Sequence, residues 1–251
     1  MSDKINLKNI SIVLHRPRYP ENIGAAARAI RNMGIGRLVV VDALNCDLTK
    51  ICRMATHAAL DVVEQMEVYD SLEAALADFN FVVGTTARLG GQRKVVSSPS
   101  KLGSKLYSIS HDNRIAILFG PEDRGLSNLD IRFCDLLVNI PTAEFSSLNL
   151  AQAVMIVCYE LFSFSRGRPG EFAPRLAKQY ELEAMYEQLK DALIRISFIN
   201  PDNPDYFMNN LRHFCSRMQL RAKEVQIVRG ICSQILWYGK KCYQDGLKEK
   251  P

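Results

Sequence analysis

This 251-residue chain predicts an α/β fold on a parallel sheet, followed by a small all-α extension. Three observations carry that expectation. Short β-rich runs alternate with helical patterns through residues 1–165, as in a parallel sheet covered on both faces. The stretch Ser165-Arg166-Gly167-Arg168-Pro169-Gly170-Glu171-Phe172-Ala173-Pro174 then places two glycines and two prolines in ten residues, the composition of a linker. Beyond it, apolar residues recur only at three- and four-residue steps. The expected organisation is an α/β domain over 1–165, a linker over 166–174 and a helical extension over 175–251.

Taken in order, Ile10-Ser11-Ile12-Val13-Leu14 reads as a buried strand. Residues 25–33 read as a helix stopped by Gly34, which leaves Asn22 and Gly24 in the loop before it. Residues 38–41 form a second strand, and helical patterns follow near 51–59 and 72–77. Residues 81–84, 115–119 and 136–141 are the remaining strands. Residues 148–164 run apolar almost without a break, which predicts a helix buried on most of its surface and capped by Ser146 or Ser147. In the extension, 176–196 is helical. Asn203 caps a helix whose first residue is Pro204, and helices over 205–218 and 223–238 complete a bundle.

Composition narrows the class. Hydrophobic residues make up 47% of the chain, ample for a sizeable core. No apolar run approaches the roughly 20 residues a membrane span needs, and Met1-Ser2-Asp3-Lys4 opens no signal-peptide pattern. The seven cysteines contain no C-x-x-C, Cys46 and Cys52 being the closest pair, which suggests reduced thiols in the cytoplasm. His15, His57, His111 and His213 show no ligand spacing, so no metal is expected. Net charge is +5, and its location is informative. Residues 1–165 balance at 17 basic and 17 acidic, while 166–251 hold 15 basic and 10 acidic. The extension is thus a candidate contact for a polyanion, although such a surplus also suits an ordinary soluble helical domain.

Three junctions between strand and helix carry chemistry-bearing residues, where open α/β sheets place ligands. The first is Pro20-Glu21-Asn22-Ile23-Gly24-Ala25-Ala26-Ala27-Arg28. An Asn-x-Gly loop at a helix start with an arginine one turn on suits a phosphodiester; a capped helix with surface arginines would look the same. The second follows residues 81–84: Thr85, Thr86 and Ala87 are small enough to let a ligand approach the backbone. Arg88, Arg93 and Lys94 beyond them are basic with no acid between, as in a loop that orders on a polyanion or in a simple solvated loop. Neither a P-loop nor a dinucleotide fingerprint is present. The third pairs Leu118-Phe119-Gly120-Pro121-Glu122-Asp123-Arg124-Gly125 with Ser146-Ser147-Leu148-Asn149-Leu150-Ala151-Gln152-Ala153. Glu122 stands at a strand mouth, where it can orient a cation. Ser147 and Asn149 stand at a helix entrance, where capping alone would explain them.

The three motifs at 20–29, 118–127 and 146–153, in that order, resemble the signatures of the SPOUT superfamily of RNA methyltransferases, in the branch of TrmH/TrmJ-type tRNA ribose 2'-O-methyltransferases. The similarity extends to Leu211-Arg212-His213-Phe214 and Val228-Arg229-Gly230-Ile231 in the extension. The resemblance implies a deep trefoil knot, a homodimer, and S-adenosyl-L-methionine bound by the knot loops at Thr85, Thr86, Ala87, Gly120, Ile140, Ser146, Ser147 and Leu148. It implies Arg28 as activator of the ribose 2'-hydroxyl, Asn22 as phosphate holder, and Glu122, Ser147 and Asn149 as the rest of the catalytic site. A guanidinium is a permanent cation, so an alkoxide-stabilising role for Arg28 stands beside that of a base. The implied substrate is tRNA at nucleotide 32 of the anticodon loop, cytidine or uridine, with Arg88, Arg93, Lys94, Arg212, Arg217 and Arg221 on the RNA. Alternatives are another tRNA or rRNA site and a non-enzymatic RNA-binding homologue; a nucleotide-binding oxidoreductase lacks its fingerprint.

Overall fold

The computed structural model describes residues 5–87, 95–166 and 175–248. The chain divides into two compact units, Met1–Arg175 and Leu176–Pro251. The first is built on a seven-stranded sheet: β1 (Ile10–His15), β2 (Arg37–Val41), β3 (Glu67–Tyr69), β4 (Phe81–Thr86), β5 (Val95–Val96), β6 (Ile115–Phe119) and β7 (Leu136–Asn139). Their spatial order is β3-β2-β1-β6-β4-β7-β5, and every pairing is parallel. Every residue of β1 and β6, near the middle of the sheet, is buried. That explains the continuous apolar run of β6 and the nearly continuous one of β1, broken by the buried Ser11, since a strand covered on both faces has no solvent face to mark with polar residues. Two strands were not expected from the sequence, β3 and β5. They are the shortest and form the two edges of the sheet.

Helices α1 (Pro20–Met33), α2 (Leu48–Ala55), α3 (Leu60–Glu64), α4 (Leu72–Leu76), α5 (Pro99–Leu106), α6 (Ile109–Asp112), α7 (Asn128–Ile131) and α8 (Leu150–Phe164) flank the sheet. On one face Leu72, Leu76 and Phe79 pack on Val13, Val39 and Leu118. Each such side chain contributes about 1.5–3 kcal/mol by leaving water. Three expectations are corrected. First, α1 begins at Pro20, where a residue without an N–H fits the first helical position, so Asn22 and Gly24 lie inside the helix and not before it. Second, α8 is capped by Asn149, whose Oδ1 accepts from the amides of Ala151 (3.0 Å) and Gln152 (3.3 Å), while Ser146 and Ser147 lie in an exposed loop. Third, α8 buries one stripe, Leu150, Val154, Val157, Cys158 and Leu161, instead of most of its surface.

The second unit consists of α9 (Gln179–Arg195), α10 (Pro204–Ser216) and α11 (Ala222–Lys248). Met185, Tyr186, Ile199, Met208, Cys215 and Val225 form its core. Asn203 occupies the cap position of α10 without a side-chain cap bond, and Pro204 opens the helix as expected. Leu176 and Arg221 form an antiparallel bridge within this unit. Of the expected linker, only Arg166 lies within the described residues. No helix among the described residues is long and apolar enough to cross a membrane.

Candidate active site

β1 and β6 are neighbours, yet the chain leaves β1 for β2 on one side while β4 lies beyond β6 on the other. Their carboxyl ends therefore mark the point where strand order reverses, the usual position of a ligand crevice in an open α/β sheet. Three side chains meet there from distant parts of the sequence. Asn22, on the first turn of α1, donates from Nδ2 to Glu122 Oε1 at 2.7 Å. Asn149 Nδ2 donates to Asn22 Oδ1 at 3.0 Å. The second oxygen of Glu122 accepts the backbone N–H of Arg18 at 3.0 Å. Because Asn149 Oδ1 is held by the amides that open α8, the orientation of every amide in the chain is fixed, from the helix terminus to the carboxylate. Asn22 is buried and keeps one Nδ2 hydrogen beyond these bonds.

The other two expected catalytic residues are not part of this cluster within one chain. Arg28 lies about 120° round α1 from Asn22, at 3.6 residues per turn. It is exposed and makes no ion pair among the described residues. Ser147 is exposed in the loop before α8. Gly24 has a packing role where the sequence suggested an anion site. A Cβ there would stand 2.1 Å from the carbonyl oxygen of Ile51, so the glycine lets α1 approach α2 backbone to backbone.

Of the expected cofactor residues, Thr85, Thr86, Ala87, Gly120 and Ile140 lie at or just after the ends of β4, β6 and β7, which are neighbours in the sheet, and Ser146, Ser147 and Leu148 lie in the loop before α8. Thr85 Oγ1 donates to the carbonyl of Leu118 at 3.1 Å, and Asn139 Nδ2 donates to the carbonyl of Thr86 at 2.9 Å. These bonds sew the three strand ends together. Thr85, Thr86, Gly120, Ile140 and Leu148 are half-buried, in contrast to the closed core beneath them, and Ala87, Ser146 and Ser147 are exposed. A Cβ at Gly120 would lie 2.4 Å from both Gly125 C and Leu126 N, so the loop that carries Glu122 folds directly onto that glycine. The donor set is hydroxyl, backbone amide and aliphatic, with no charged side chain. It fits a zwitterionic cofactor held mainly through its neutral groups.

Among the expected RNA contacts, Arg88, Arg93 and Lys94 lie outside the described residues. Arg212 is not a free cation. Its guanidinium makes a two-point pair with Glu183 (2.5 and 2.7 Å) and sits 4.3 Å above the Tyr186 ring. The pair is mostly shielded, with side chains 19% and 27% exposed. Arg217 and Arg221 do not share a helix: Arg217 ends α10, and Arg221 precedes α11, where its amide bonds Glu224 Oε2 at 2.8 Å. Phe214 and Met218 are exposed, while Met208 and Cys215 are buried. No metal-binding cluster of His, Cys, Asp or Glu occurs among the described residues.

One buried group beside the site was not anticipated. His15, at the carboxyl end of β1, has Nδ1 3.5 Å from Asp130 Oδ1 and no hydrogen-bond partner for that atom. Burial pushes its pKa below the ordinary 6.5, and Arg16 adds to this, against the opposing pull of Asp130 and Asp42. Asp130 in turn closes a capping box with Ser127 in the segment after β6. A histidine directly after the apolar run Ile12-Val13-Leu14 was the available sequence signal.

Residues 9–159 match the SpoU rRNA Methylase family, and residues 180–245 match the family described as tRNA methyltransferase TrmJ, C-terminal domain. The chain is 34% identical over 235 residues to a tRNA (cytidine/uridine-2'-O-)-methyltransferase TrmJ of Pectobacterium atrosepticum, covering 91% of this chain and 97% of the relative. It is 33% identical over 245 residues to a tRNA (cytidine/uridine/adenosine-2'-O-)-methyltransferase TrmJ of Pseudomonas aeruginosa, covering 91% and 94%. A crystal structure of TrmJ from Z. mobilis ZM4 aligns with a TM-score of 0.77 at 31% identity, over 90% of this chain and 98% of that one. A structure concerned with 2-OH methylation of C/U34 on tRNA aligns with a TM-score of 0.51 at 27% identity, over 62% and 97%.

Proposed function

The chain belongs to the SpoU methylase family, in its TrmJ branch, and on that premise we propose that it methylates the ribose 2'-oxygen of tRNA at nucleotide 32, cytidine or uridine. The observation that carries the reading is the Asn149–Asn22–Glu122 chain at the sheet's switch point. It joins the three motifs of the sequence into one polar site beside a neutral cofactor edge. We propose the remaining family features with it: the trefoil knot, a homodimer, 1–165 as the catalytic domain and 175–251 as the tRNA-binding extension.

S-adenosylmethionine, held by Thr85, Thr86, Ala87, Gly120, Ile140, Ser146, Ser147 and Leu148, supplies an electrophilic methyl group. The protein's own part is alignment and electrostatics. Asn22, oriented by Glu122 and Asn149, offers its spare Nδ2 hydrogen to a phosphate oxygen of the substrate. When the cofactor is bound, its methyl group would pass to the 2'-oxygen, the former bonding pair staying with the sulfur, and the 2'-hydroxyl proton would pass to solvent water. Arg28, a permanent cation, holds the developing oxyanion without accepting that proton. Ser147 completes the wall of the site. Since Arg28 does not reach the cluster of its own chain, a site completed by a second copy accommodates it. Fixing both reactants in line supplies a large part of the acceleration.

Incubation of the purified protein with tRNA and methyl-labelled cofactor tests the reading. Label on a ribose 2'-oxygen is the expected result; label on a base, or none with a folded protein, refutes it. Mapping the labelled nucleotide tests the position. Nucleotide 34 is the second reading, favoured by the C/U34 neighbour. That neighbour spans only 62% of this chain, whereas the TrmJ relatives span 91% and include the extension.

A further inference from the structure

α11 has two apolar faces. One packs into the bundle through Val225 and Cys232, both buried. The opposite one carries Ile227, Ile231, Trp237 and Tyr238 at helical spacing, all solvent-exposed; Trp237 is 57% and Tyr238 64% exposed. Lys223 and Lys241 project from the same face, and the Lys241 ammonium lies 5.2 Å from the Trp237 ring centroid. Across α11 there are five basic residues and two acidic ones.

We propose that this face is a stacking surface for unpaired nucleotides of the tRNA, with Trp237 and Tyr238 taking bases and Lys241 a neighbouring phosphate. The inference rests on the tRNA reading above and names the part of the substrate that the extension binds. A half-exposed indole and phenol beside lysines are the pairing that single-stranded nucleic acid requires, since every base has a face to stack and every linkage a charge. Charge complementarity favours this occupant over a second copy of the chain, whose α11 would bring the same positive excess. It also differs from the arginine contacts expected at Arg212, because that residue is occupied by Glu183.

Trp237 is the only tryptophan of the chain, so its fluorescence reports the surface directly. Full-length protein is titrated with tRNA, with an anticodon stem-loop, and with a blunt duplex of equal length. The expected result is saturable quenching by tRNA and by the stem-loop but not by the duplex. Trp237→Ala is expected to raise the Kd for tRNA at least about fivefold, and Trp237→Phe, which keeps a ring, to recover most of it. Lys241→Gln should keep the quenching and reduce the log–log salt slope by about one. Far-ultraviolet circular dichroism verifies that each variant keeps its helices. A Trp237→Ala protein binding tRNA within twofold of wild type overturns the proposal. So does a fluorescence change that follows protein concentration without RNA, with sedimentation showing self-association lost in that variant. Absence of methyl transfer with stem-loop quenching intact would refute the catalytic reading and leave this surface standing.

Discussion

Replacing Glu122 by Gln tests whether the fixed amide orientations hold the site together. Glu122 accepts two hydrogen bonds, from Asn22 Nδ2 at 2.7 Å and from the Arg18 amide at 3.0 Å. A glutamine keeps one acceptor and brings two hydrogens. With its oxygen toward Asn22, its amino group opposes the Arg18 N–H, which must turn to water. That arrangement loses one bond and the charge assistance on the other, about 1–2 kcal/mol in all. The reverse orientation requires Asn22 to flip, which opposes its amino group to that of Asn149. Asn149 cannot flip in response without uncapping α8, a further cost of about 1 kcal/mol. The first arrangement is therefore expected. Alanine leaves the buried Asn22 amino group without its acceptor and should cost more, about 2–3 kcal/mol. Urea unfolding followed by circular dichroism, with turnover measured in parallel, should rank wild type above Gln above Ala. At roughly 2–4 °C per kcal/mol for a domain of this size, the Gln variant should melt about 2–8 °C lower. A Gln variant within about 0.5 kcal/mol of wild type at full turnover, or one less stable than Ala, would refute the reasoning.

Other consequences are open to test. Arg28→Ala should abolish turnover while leaving cofactor affinity and melting temperature near wild type, and Arg28→Lys should restore little because it lacks the planar fork; a variant whose defect disappears at saturating cofactor would place Arg28 elsewhere. Gly24→Ala should destabilise by about 1–3 kcal/mol, because contact of its Cβ with the Ile51 backbone outweighs the helix-propensity gain of about 1 kcal/mol; unchanged or raised stability would contradict this. His15 is held neutral by burial, so its folded-state pKa lies below the unfolded 6.5. Its contribution is fully present above pH 6.5 and is lost as pH falls through the lowered value, and His15→Gln should flatten stability against pH across that window; equal pH slopes would exclude it. Arg212→Ala should lower the stability of the helical unit by about 2 kcal/mol through the stranded Glu183, a loss that urea unfolding would detect and that a purely RNA-facing arginine would not produce.

Much of the sheet was legible because β1, β2, β4, β6 and β7 are covered strands whose apolar runs stand out. β3 and β5 were not, for a physical reason: at two and three residues they are edges, and short edges resist unwanted pairing. The start of α1 was placed too late because Asn22 and Gly24 carry loop-like composition. Asn22 is there for its bonds to Glu122 and Asn149, and Gly24 for the approach of α2, both long-range facts. Arg212 was read as a surface cation because Glu183, its partner, is 29 residues away in sequence. The ordered motifs nonetheless pointed to Asn22, Glu122 and Asn149 together. Arg28 and Ser147 share those motifs without meeting the cluster in one chain.

The order of synthesis gives the sheet a timetable. β6 lies between β1 and β4 in space but follows both in the chain. A nascent polypeptide that has emerged through β4 therefore offers two unpaired central edges, with a gap one strand wide between them. At about 5–20 residues per second, Asn149 emerges roughly 6–25 s after Asn22, whose buried amide has neither side-chain partner until Glu122 and then Asn149 arrive. Insertion of β6 is thus a late event, and the ribosome has completed about half of the protein before the Asn22 cluster has any of its internal contacts.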